Sequence, residues 1–225
     1  MTENKNVKIQ MGIFFCAYLL FYLTKIVLME CLGLFENFRN IITVPFYIIA
    51  GLAGLYIIRK DFLDGLKQWK EHPKKNIAVF IGLIILNPIL GAVADIPAYI
   101  LWPDATTINS SNIENMAATT NPILVILAAG ILGPIVEEII FRILFIKKAS
   151  SKVNSVICII ISSILFMLLH CHALTPLEIM MNMDKLVTGL LFGTALVMTD
   201  NPTNPAFVHI LNNTFGLTLC MLTLK

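Results

Sequence analysis

Long apolar runs joined by short polar connectors leave this chain very few folds to choose from. They lie near 11–34, 41–58, 77–101, 121–146, 153–172, 185–199 and 203–224. A helix that crosses the hydrocarbon core of a bilayer needs about 20 mostly apolar residues. Inside lipid its backbone groups must bond to one another, which a helix does unaided. Composition agrees, with 57% of residues hydrophobic and 13% charged, against roughly 45–50% and about 25% in soluble domains. The expected fold is all-α, a polytopic membrane helix bundle of about seven transmembrane helices (seven or eight). The sixth run, 185–199, is short enough to be re-entrant instead. Because the connectors are short, residues 1–225 read as a single membrane domain in contact with lipid, with no soluble domain. No nucleic-acid partner is expected.

Charge is distributed unevenly. Lys5 and Lys8 precede the first run. Arg59, Lys60, Lys67, Lys70, Lys74 and Lys75 separate the second from the third, and Lys147, Lys148 and Lys152 the fourth from the fifth. Residues 103–120 and 173–184 contain no lysine or arginine. Alternate connectors are therefore basic, as the positive-inside rule requires. The N-terminus is expected in the cytoplasm and, if all seven runs cross, the C-terminus outside. No small-residue cleavage site follows the first run, so it reads as an uncleaved helix rather than a signal peptide. Five cysteines without a CxxC pair give neither a disulfide framework nor a zinc-ribbon spacing. In 59–75, Phe62, Leu63, Leu66 and Trp69 fall at helical spacing with lysines on the other side. That pattern predicts a helix lying on the inner membrane surface, ended by Pro73.

Ionisable residues inside an apolar run are functional candidates by default. Lys25, Glu30 and Asp95 read instead as near-interface side chains that snorkel. The fourth run is different. Its "IVEEIIFRIL" (135–144) places Glu137, Glu138 and Arg142 in mid-run, where each charge costs about 2.5–3.5 kcal/mol. On a helix Glu138 and Arg142 stand at i and i+4 and can pair. Glu137 is turned about 140° from Arg142. One carboxylate is thus neutralised, and the other needs a polar cavity or water beside it, which is where a general base would sit. A structural ion pair, with a second cation on Glu137, explains this segment alone equally well. Two further runs shift that balance. The fifth puts Phe166 and His170 at i and i+4, and the seventh does the same for His209 and Asn213. A glutamate and a histidine can activate water, and a histidine with an asparagine amide can stabilise an oxyanion.

These three motifs, EExxxR (Glu137, Glu138, Arg142), FxxxH (Phe166, His170) and HxxxN (His209, Asn213), occur in order, each within an apolar run. Together they resemble the CPBP family, the type II CAAX prenyl endopeptidases and bacteriocin-processing or bacteriocin-immunity proteins also called Abi. The resemblance covers about 121–220 as the catalytic core; the first 120 residues match only as generic membrane helices. It implies about eight helices around a conical, water-filled intramembrane cavity. It makes Glu137 and His170 the pair that activates water, His209 and Asn213 the oxyanion hole, and Glu138 and Arg142 supporting residues, with Phe166 beside His170. The implied activity is hydrolysis of peptide bonds in membrane-associated peptides or small membrane proteins. Small size and abundant Ile, Lys and Asn point to an AT-rich bacterium, hence to the plasma membrane and to peptide or bacteriocin processing or self-immunity. A prenylated CAAX protein is the eukaryotic option.

No cofactor is expected. Family members have been called metalloproteases, and a divalent metal such as zinc on Glu137, His170 and His209 stays open, although HExxH is absent. His172 and Cys171 are expected to be bystanders, turned off the His170 face. One count conflicts with the assignment. Measured along each helix from the inner side, His170 lies deeper than Glu137 and Asn213 by about six residues. Two other classes fit the composition. One is a non-catalytic immunity or scaffold protein. The other is a transporter with a proton relay, against which the lack of an internal repeat argues.

Overall fold

The computed structural model describes residues 5–26, 39–150 and 153–224. Its regular elements are all helices: α1 (Lys5–Ile26), α2 (Arg39–Glu71), α3 (Pro73–Leu101), α4 (Ile108–Thr119), α5 (Pro122–Lys148), α6 (Ser155–His170), α7 (Pro176–Met180), α8 (Met183–Thr199) and α9 (Thr203–Thr223). Lys25 falls in α1, while Glu30 and Cys31 lie outside the described residues. The all-α membrane bundle expected from the apolar runs is what forms.

Among the described residues, five helices are long and apolar enough to cross a membrane: α2, α3, α5, α9 and, within α1, Asn6–Thr24. The other two runs make shorter helices, α6 with 16 residues and α8 with 17. At 1.5 Å per residue these span about 24 and 26 Å, less than a core of about 30 Å. They compensate by packing on each other more extensively than any other pair of helices. A Cβ on Gly189 would come within 2.7 Å of the Ser163 backbone, so only glycine permits this approach, as at small-residue helix interfaces in membranes.

Two connectors are more ordered than their composition indicates. The segment 59–71 is not a separate surface helix. It continues α2 without a break, because nothing before Pro73 interrupts the backbone bonding, and Pro73 then opens α3 as its first residue. Its aromatic face meets protein: Phe62 packs edge-on against Phe207, and Trp69 against Phe80 and Phe207. The lysine-free 103–120 contains α4, started by Thr107, whose side chain accepts from the Ser110 N–H. Asn40 ties α4 to the start of α2 through Asn115 and Thr119 (3.1 and 2.9 Å). Nor does Asp95 snorkel. It accepts from the Asp184 N–H at the start of α8, at 3.1 Å, where a helix N-terminus welcomes a carboxylate.

α5 is the central element. In its membrane-crossing window 67% is buried, against 11% to 28% for the other four. It contacts α2, α6, α8 and α9, so it alone of the five is largely surrounded by protein rather than lipid. It is also irregular: Ile126–Leu132 and Ile139–Lys148 are π-helical and flank an α-helical stretch, Gly133–Glu138. Wide turns of this kind recur at functional sites. The two glutamates sit between them.

Candidate active site

Glu138 and Arg142 pair as their spacing requires, Nε to Oε2 at 3.4 Å, both almost fully buried. Arg142 lies between aromatic faces, with its guanidinium 4.5 Å from the centre of the Phe166 ring and 5.4 Å from that of Phe192. Such contacts favour a cation more strongly once it is desolvated. Among the described residues, none of its three nitrogens has a hydrogen-bond partner. Arg142 is thus held by charge and by ring faces.

His209 joins the two glutamates. Its Nδ1 stands 2.9 Å from Glu138 Oε1 and its Nε2 3.5 Å from Glu137 Oε2. Two carboxylates and one guanidinium leave one negative charge. A membrane interior penalises such an uncompensated charge, so a polar cavity or water beside it is favoured. The rings of Phe166 and Phe192 pack edge-on against His209. Phe166 organises the cluster. It touches Arg142, His170 and His209, and its carbonyl accepts from His170 Nδ1 at 2.8 Å. That bond puts the proton on Nδ1 and leaves Nε2 as the acceptor.

A cavity of about 440 Å³ adjoins this cluster. Glu137, His170 and Asn213, from three helices, all line it. His170 is the last residue of α6, and the cavity reaches it as well as Glu137 and Asn213. Asn213 donates one amide hydrogen to Ala129 O in the first π-helical stretch, at 3.4 Å. An asparagine amide has a second. His209 is brought to Glu137 from behind and is not among the lining residues, so the structure does not place it with Asn213 on the cavity wall.

Some lining residues escape a reading by spacing. His172, expected to be a bystander, lines the cavity. The helix stops at His170 and Cys171 is extended, so the turn per residue that directed His172 away no longer applies. Tyr22 and Tyr47 line it too; in an apolar run a tyrosine passes for a hydrophobe. Asn109, Asn112 and Glu114 of α4 contribute from what looks like a polar loop. Phe192 carries no local signal. As for zinc, among the described residues no three His, Cys, Asp or Glu side chains stand together as a metal-holding group. Glu137, His170 and His209 therefore do not converge as a ligand set.

Residues 119–215 match the family model for "Type II CAAX prenyl endopeptidase Rce1-like". Neither a curated protein nor a solved structure matches the chain. The matched segment contains Glu137, Glu138, Arg142, Phe166, His170, His209 and Asn213. Over that segment the chain is similar to the type II CAAX prenyl endopeptidase Rce1-like family.

Proposed function

We propose that this protein is an intramembrane endopeptidase that cleaves membrane-associated peptides or small membrane proteins with water activated by Glu137 and His170. The match of residues 119–215 to the Rce1-like family model supports a CAAX-type endopeptidase in general. The observation that carries the finer reading is the unequal fate of the two adjacent glutamates. Glu138 faces the Arg142 cation inside the protein, while Glu137 lines the cavity.

Water in the cavity would be oriented by the Nε2 lone pair of His170 and give its proton to Glu137 as its oxygen attacks the scissile carbonyl. The carbonyl oxygen gains negative charge and accepts the free amide hydrogen of Asn213. Glu137 then passes its proton to the departing amine, so that both products leave neutral in sum and Glu137 returns to its starting state. His209, with Nε2 3.5 Å from Glu137 Oε2, helps to hold the carboxylate in place. Glu138, Arg142 and Phe166 are positioning residues. No step uses a metal. The composition supports a bacterial plasma membrane and a role in peptide or bacteriocin processing or self-immunity.

The test is a cleavage assay with a panel of membrane-held peptides, including leader peptides encoded nearby, read by mass spectrometry of the ends. Wild type is expected to give a product and an equally expressed Glu137→Gln variant none. A chelator should leave the wild-type rate unchanged. Identical products from both proteins would sink the assignment.

A further inference from the structure

We infer that the cavity opens on the non-cytoplasmic side of the membrane, so that its substrate is a peptide segment presented at the outer face; this rests on the protease reading above. Two sets of contacts define the ends of the bundle. At one end, Lys147 bridges Asp61 and Asp200 at 3.5 and 3.3 Å. That ties the lysine-rich second half of α2 to the end of α5 and to the turn between α8 and α9. At the other end, buried Glu178 accepts from the N–H of Ile108 at 2.7 Å and of His172 at 3.3 Å. This joins the start of α4 to the end of α6, beside the start of α2 that Asn40 holds.

The cavity belongs wholly to the second end. Besides its catalytic wall it is lined by Arg39 at the start of α2, by α4, by His172, by Lys185 at the start of α8 and by Cys220 near the end of α9. No residue of 59–75, 147–148 or 199–204 lines it. Below Glu137 the lysine-rich end is closed by the packed lower halves of α5, α6 and α8 and by buried Asn76, Asn201 and Thr203. The basic connectors 59–75 and 147–152 lie at that closed end, and the connectors around the mouth, 103–120 and 173–184, have no lysine or arginine. Orientation follows such asymmetry in short loops. The closed end therefore faces the cytoplasm and the mouth faces out. A tail anchored on the cytoplasmic face would meet the closed cationic end. A precursor already translocated, or a membrane protein's outer segment, would meet the mouth, where Asn109, Asn112 and Glu114 offer polar groups to a peptide backbone.

Cysteine labelling in intact bacterial cells decides this. In a background with the five native cysteines replaced by serine or alanine, Glu114→Cys marks the mouth and Lys74→Cys the closed end; both positions are exposed. A membrane-impermeant maleimide is expected to label Glu114→Cys in intact cells as fully as in permeabilised ones. Lys74→Cys should react only after permeabilisation. The reverse pattern, or equal labelling of both in intact cells, overturns the inference. Should the cysteine-free protein fail to accumulate, fusions after Lys225 of the native chain answer instead, because α9 ends at the mouth. Alkaline phosphatase should then be active and green fluorescent protein dark; the opposite overturns the inference. Neither readout depends on catalysis. Cleavage that needs Glu137 together with cytoplasmic labelling of the mouth refutes the sidedness and keeps the protease. Outward labelling without cleavage does the converse.

Discussion

Near the lysine-rich end, Asn76 has every hydrogen-bonding group in use. Its amide donates to Gln68 O and His72 O, both at 3.0 Å, and its Oδ1 accepts from Asn201 and Asn204 at 3.0 and 2.8 Å. Asn201 reaches on to Gly65 O and to Thr203, whose hydroxyl also accepts from Trp69 Nε1 at 2.9 Å. A Cβ on Gly65 would come within 2.6 Å of Asn201 Oδ1, so the helix there must be bare. Midway along α5 the second buried polar cluster differs on every count. It is charged, it draws on α5 and α9, and Glu137 Oε2, Glu138 Oε2 and the three Arg142 nitrogens lack hydrogen-bond partners among the described residues. The amide network joins two turns with neutral groups that are nearly saturated, which stabilises. The charge cluster keeps unfilled valence next to a cavity, which destabilises unless something else enters it. Both regions are buried, and the difference in saturation sets the structural network apart from the proposed chemical one.

Substitutions should therefore divide cleanly between activity and stability. The largest effect is expected from Glu137→Gln, which keeps shape and removes the proposed base. The cleavage rate should fall by about 10²–10⁴, with the melting temperature in detergent nearly unchanged. A large loss of melting temperature would instead make Glu137 a member of a structural ion pair. Asn213→Ala should lower kcat by about 10²–10³ with little change in KM, as for other single oxyanion donors. A rise in KM alone would move Asn213 from the transition state to substrate binding.

The sequence reveals these two regions unequally, for a physical reason. Spacing on a helix determines which side a residue faces. It therefore pairs Glu138 with Arg142 and separates Glu137 from them, and it puts Phe166 under His170. What spacing cannot encode is the neighbour across a helix interface. His209 lying between both glutamates, and Phe192 against Arg142, depend on how α5, α8 and α9 meet. Helical spacing ceases to apply at His172, because the helix stops at His170. The amide network was invisible, because Asn76, Asn201 and Asn204 lie in "HPKKN" and "DNPTN", which read as polar turns with nothing to bury. The apolar run lengths gave the bundle at once, but not that the aromatic stripe of 59–71 would bind protein instead of lipid.

Breaking the amide network tests the other side of the comparison. Asn76→Ala leaves one amide hydrogen of Asn201 and one of Asn204 without an acceptor in a buried site, whereas the Gln68 and His72 carbonyls keep their backbone N–H partners and Asn201 keeps its bond to Gly65 O. Each orphan group costs about 1–3 kcal/mol, less whatever relaxation or water recovers. A net loss of about 2–3 kcal/mol is expected, seen as a lower melting temperature and yield. Cleavage per folded molecule should be unchanged. A variant that is stable but slow would mean that this network also tunes the site.

The smallest effect is the most discriminating. Trp69→Phe removes one donor and retains an aromatic ring against Phe80 and Phe207. Thr203 Oγ1 loses what it accepted but still donates to Asn201 Oδ1 at 2.8 Å, so no buried hydrogen is stranded. The loss should be near the net value of one hydrogen bond, about 1 kcal/mol, and activity should be unchanged. Adding Asn76→Ala to Trp69→Phe should then destabilise by less than the sum of the two, since both act on one connected network. Strict additivity in thermal melts would mean that Trp69 contributes through ring packing alone, and the saturation that distinguishes this region would end at Asn201 and Thr203.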